Sequence, residues 1–96
     1  MMTDTRKKAW TLLRRYVNSE VLLKHCLAVE IAMRAYAGKF GGDVEYWGAV
    51  GLLHDVDFEK FPDDHPNHAR EILSAEGYDE AFITDVESHC RTWGAE

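Results

Sequence analysis

Five histidines and a dense run of acids are the residues with chemistry to offer in this chain of 96. The histidines are His25, His54, His65, His68 and His89, and Asp55 follows His54 directly. A neutral imidazole can give one ring nitrogen to a metal while the other donates a hydrogen bond. A lone histidine on a helix is more often a hydrogen-bonded core or surface residue than a ligand. What matters is whether several sit on faces that can meet. At helical spacing His25 aligns with Leu22, Val29, Ala32 and Tyr36, and His54 with Trp47, Val50 and Gly51. His89 aligns with Phe82 and Val86, and His65 with Ala69 and Ile72, while His68 is ambiguous. Four imidazoles on core-side positions need four separate hydrogen-bonding solutions unless they share one. A common divalent ion meets most of those needs together.

Neighbours on a regular helix diverge by about 100°, but a chain leaving a helix C-terminus can turn two adjacent side chains towards one ion. Asp55 could join the imidazoles that way. A carboxylate buried among imidazoles is costly without a cation, and that mixture suits Mn, Fe, Co, Ni or Zn. Spacing alone leaves the alternative open, in which Asp55 is an exposed loop acid and His54 a core residue. Cys26 beside His25 suggests a nucleophile pair, but adjacent helical positions point apart, and a core thiol is expected.

The elements that must position these residues read as helices throughout, with no segment alternating like a half-buried strand. A first helix is expected from about Asp4 to Val17, with Trp10, Leu13 and Val17 on one face. Asn18 and Ser19 make a capping break before a second helix to about Lys39, ended by Gly41 and Gly42. Asp43 caps a third helix through His54, in which Gly48 and Gly51 let another helix approach closely. Asp55 to Asp64 reads as a loop. Asp64 or His65 opens a fourth helix, with Pro66 in its first turn, and Gly77 stops it. Asp79 caps a fifth, from Glu80 to about Cys90. The expectation is a single all-α domain over residues 1–96.

Composition bounds the partners. A formal net charge of −6 disfavours a general nucleic-acid or anionic-membrane surface. The Arg6-Lys7-Lys8 and Arg14-Arg15 clusters read as a solvated helix face, and Trp10, Trp47 and Trp93 as packing residues rather than base-stacking platforms. No apolar run approaches the roughly 18 residues of a membrane span, and no leader-like apolar segment follows the N-terminal cations. The two cysteines, Cys26 and Cys90, form no CxxC pattern, so a cytoplasmic chain with reduced thiols is expected.

The ordered pattern His25, Gly51-Leu52-Leu53-His54-Asp55, His89 resembles the HD-domain superfamily of metal-dependent phosphohydrolases. The stretch GLLHDVDFEKFPDDHP is similar to small bacterial HD hydrolases, and REILSAEGYDEAFITDVESH fits their next two helices. The resemblance implies a compact bundle of about five helices and one or two divalent ions per chain, Mn, Fe, Ni, Zn, Co or Mg. It implies His25, His54 and Asp55 around one ion, with Asp55, His65 and His89 around the other. Asp55 would bridge the ions and act in catalysis, with Lys60 contacting a substrate phosphate, although Lys60 is offset from the common HDxxK spacing. The substrate class implied is a phosphate ester or nucleotide.

One departure stands out. The family's final aspartate, on a later helix, has no counterpart, because only seven residues follow His89. Asp57, Asp63, Asp64, Asp85, Glu87 and the C-terminal carboxylate are the substitutes at hand, and spacing selects none. A short member lacking the usual C-terminal helices is expected to expose apolar surface and to self-associate. A non-catalytic HD-like scaffold, binding a metal, a ligand or a second copy, is the alternative to an enzyme. A metal-free helical interaction module is a third reading.

Overall fold

The computed structural model describes residues 4–63 and 68–93, with side chains through Ser88. Five helices carry the described chain, and no strand occurs among the described residues. They are α1 (Asp4–Tyr16), α2 (Glu20–Phe40), α3 (Val44–Leu53), α4 (Ala69–Ala75) and α5 (Glu80–Trp93). The boundaries follow local chemistry. Ser19 sits in extended backbone and accepts from the Leu22 N–H at 3.2 Å. Gly41, at φ 76°, ends α2 in the left-handed region, which a residue without Cβ enters freely. Asp43 accepts from Glu45 and Tyr46 at the start of α3, and Asp79 from Phe82 at the start of α5.

α3 is the centre of the molecule. All residues from Gly48 to Leu53 are buried, and a helix apolar on every side belongs inside. α2, α1 and α5 all pack against it, while α4 packs on α5. Leu12, Leu13 and Val17 meet Leu52, Leu53 and Val56 in the core, which continues through Leu73 and Val86. Gly51 sets the α2–α3 spacing: a Cβ there would lie 3.0 Å from the Val29 carbonyl oxygen and 3.3 Å from the Glu30 Cα.

Glu30 is buried at the same junction, where Arg6 grips it with two hydrogen bonds of 2.9 and 3.0 Å. Arg34 adds a third bond to Glu30 and reaches Glu45 on α3. Part of the N-terminal basic cluster is therefore structural rather than a solvated face. Arg6 and Arg14 also flank the Trp10 ring, consistent with tryptophan as a packing residue.

Two helix limits differ from expectation. α4 begins at Ala69, after the expected Asp64 or His65; those two residues and Pro66 lie outside the described ones. α5 runs on to Trp93, since nothing in Arg91-Thr92-Trp93 breaks a helix. The expected loop after α3 is a series of tight turns in which the Val56, Phe58 and Phe61 amides bond back to Leu53, Asp55 and Asp57.

Candidate metal centre

The site begins where α3 stops. His54 is the C-cap of α3, and the turns that follow bury His54, Asp55, Val56 and Asp57 in succession. Asp55 is 8% exposed, so the reading of it as a solvated loop acid is overturned. The His54 ring is fixed by its own helix: Nδ1 lies 2.6 Å from the Gly51 carbonyl oxygen. A carbonyl only accepts, so Nδ1 carries the proton, and in the neutral ring Nε2 keeps its lone pair.

α2 brings His25 to the same point. His25 Nε2 lies 3.2 Å from His54 Nε2, and Asp55 Oδ2 lies 3.1 Å from each of them. Three potential ligand atoms thus form a nearly equilateral triangle. Donors bound at about 2.1 Å to one ion stand about 3.0 Å apart at octahedral angles and about 3.4 Å apart at tetrahedral ones. The observed separations fall in that range. Electron-pair donors this close repel one another unless a cation or a shared proton lies between them, so the residues present fit a divalent ion.

His25 does not sit as deep as its helical alignment suggests. Its side chain is 50% exposed, because the buried stripe of α2 runs one position over, through Cys26, Glu30, Met33 and Ala37. His25 instead rims an open cavity of about 630 Å³ between the start of α2 and the turns after α3. Cys26 is enclosed, and burial, with the Asp55 charge adding to it, pushes its thiol up to about 12. That agrees with the core thiol expected from its position on α2.

The other residues read from the sequence are placed as follows. His65 lies outside the described residues, and His89 lies in α5 with its side chain outside them. Lys60 is exposed on the turns and does not line the cavity. His68 stacks on Phe61 with ring centroids 3.8 Å apart and pairs with Glu71, away from the His25 cluster. Asp85 meets the Tyr46 hydroxyl and Glu87 meets Arg70, so both serve as structural acceptors.

Two acids beside the site carry more than their sequence context suggests. Asp57 is fully buried and accepts from the His68 amide at 3.2 Å, linking the turns to α4. The Glu59 carboxylate accepts from the Asn18 and Ser19 amides at 2.9 and 2.8 Å, pinning the turns to the start of α2. Each lies in the stretch after His54 that reads from the sequence as a loop. No local signal marks either bond, since the donor lies 11 positions from Asp57 and 41 from Glu59.

No curated protein and no solved structure gives a match to this chain. The family model described as HD domain matches residues 22–96, spanning His25 and the His54-Asp55 pair. With that match over most of its length, the chain belongs to the HD domain family, a superfamily of metal-dependent phosphohydrolases.

Proposed function

We propose that this chain is a metal-dependent hydrolase of a phosphate ester or nucleotide, with His25, His54 and Asp55 as ligands of one divalent ion. The observation that carries the reading is the triangle of His25 Nε2, His54 Nε2 and Asp55 Oδ2, with sides of 3.1 to 3.2 Å, at the wall of an open cavity. Whether the ion is Mn, Fe, Co, Ni, Zn or Mg, it supplies positive charge against phosphate oxygens and acidifies water. The Gly51 carbonyl holds His54 in the tautomer that ligation needs. Asp55 supplies the anionic charge from a site with little water, and takes part in moving a proton from the attacking water. The water oxygen forms the new P–O bond, and the ester oxygen leaves with its electron pair and gains a proton. In this reading His65 and His89, with Asp55, would hold a second ion. Lys60, outside the cavity wall, has an accessory electrostatic part. The whole of residues 1–96 acts as one domain in this reading.

The test is metal content by elemental mass spectrometry on protein purified without added metal or chelator, followed by a screen of phosphate esters. About one or two ions per chain and hydrolysis are expected, with both lost in His54→Ala and Asp55→Asn. Wild-type hydrolysis by metal-free Asp55→Asn protein would overturn the mechanism.

One observation favours a second reading, a non-catalytic scaffold paired with a second copy. α2 exposes Val21 at 81% and Ile31 at 68% on the side away from its buried stripe, and Phe40 at 67% at its last residue. An antiparallel pairing of two α2 helices would set the acidic first turn, with Glu20, towards the basic last turn, with Lys39, and oppose the helix dipoles. Sedimentation at several concentrations, alongside the ester screen, separates a turnover-free dimer from an active monomer.

A further inference from the structure

The walls of the cavity beside His25 and Asp55 differ sharply in chemistry from the cluster itself. Val21, Leu22 and Phe58 form its apolar side, with Val21 81% and Phe58 43% exposed. Ser19 and Glu59 also line it, and the Glu59 carboxylate is engaged by the Asn18 and Ser19 amides. Among the described residues lining the cavity, none is lysine or arginine.

A site for nucleoside triphosphates or other polyphosphates needs cations or backbone N–H groups for each phosphate beyond the first. Here the Asn18 and Ser19 amides, just ahead of α2, are already taken by Glu59, and that carboxylate repels a second anion. We infer that the cavity selects a phosphate monoester with a compact apolar or aromatic leaving group. Its phosphate lies against the His25–His54–Asp55 cluster and its apolar part against Val21, Leu22 and Phe58. This specificity rests on the proposed metal-dependent reading, and it assigns to Phe58 and Val21 the binding of the leaving group.

The test uses non-hydrolysable probes, so binding is read without turnover. Calorimetric affinities of phenylphosphonate, methylphosphonate and inorganic triphosphate are measured on protein of known metal content, loaded with Mn. Phenylphosphonate should bind about tenfold more tightly than methylphosphonate, the effect of partly burying one ring. Triphosphate should gain nothing over methylphosphonate. Phe58→Ala and Val21→Ser should each shrink the phenyl-to-methyl ratio severalfold, and both positions are exposed enough for the variants to fold. Equal affinity for the two phosphonates, or tightest binding by triphosphate, on protein that holds its metal overturns the specificity while leaving the metal reading intact. Failure of the protein to hold metal is a separate outcome that overturns the metal reading and this inference with it.

Discussion

The backbone at Gly51 shows how closely His54 is held against α2. Gly51 lends its carbonyl to His54 and its missing side chain to the α2 backbone. Gly51→Ala should cost about 2 kcal/mol, because Val29 and Glu30 meet the new methyl with main-chain atoms that cannot swing away. A melt should show it as a Tm lower by about 10 °C, accompanied by weaker metal retention. Tyr78 offers an opposite case. Among the described residues its buried hydroxyl has no hydrogen-bond partner, while its ring stacks on Phe82 at 4.3 Å. Tyr78→Phe should therefore be neutral or stabilising by up to about 1 kcal/mol in chemical denaturation. The pH profile follows from the same group. Burial, with Glu76 adding to it, raises the phenol to about 12 from an ordinary value of 10.0. The unfolded chain thus releases this proton first, and stability falls as pH rises from about 10 to about 12. Wild type should lose more stability across that window than Tyr78→Phe, and equal losses would contradict the assignment.

Between elements, single carboxylates do the joining. Glu59→Ala removes the acceptor of two amides at the start of α2 and should cost about 1 kcal/mol. Its sharper signature is faster hydrogen exchange at Asn18 and Ser19 with little change in α5. Glu30→Ala removes the buried carboxylate that Arg6 and Arg34 share and should cost about 3 kcal/mol in denaturant unfolding. A loss under 1 kcal/mol would mean that Arg6 finds water or another acceptor. The helices themselves were legible from local signals, because Ser19, Gly41, Asp43 and Asp79 act on amides and carbonyls within a few residues. Glu30 and Asp57 were not, because each is buried by a partner distant in sequence: Arg6 lies 24 positions from Glu30, and the His68 amide 11 from Asp57. The direction of His25 towards His54 and Asp55 is legible, but its depth is not. The helical wheel gives its direction, and only the packing of α3 reveals that the buried stripe is centred on Cys26.

At the level of the whole molecule, the cluster joins two helices that pack directly on each other, with α1, α4 and α5 arranged around them. An ion held by His25, His54 and Asp55 is then a clasp across α2 and α3, so metal should stabilise the fold in proportion to the logarithm of its concentration above Kd. Melts over a metal titration, compared with Asp55→Asn, would check this: a wild-type Tm indifferent to metal contradicts a clasp. No described helix is long and apolar enough to cross a membrane.

The close approach at Gly51 also bears on the order in which the chain acquires its structure. His25 and His54 are 29 residues apart, joined by one helical hairpin whose turn is set by Gly41 and Asp43. Contacts of that short range close early, since little chain entropy is lost before they form. The donors of the centre should therefore come together while α4 and α5 are still unpaired, and an ion present during synthesis would act as a nucleus rather than a late addition. Refolding with metal present from the start should then be faster than refolding followed by metal, by a factor that Gly51→Ala erases.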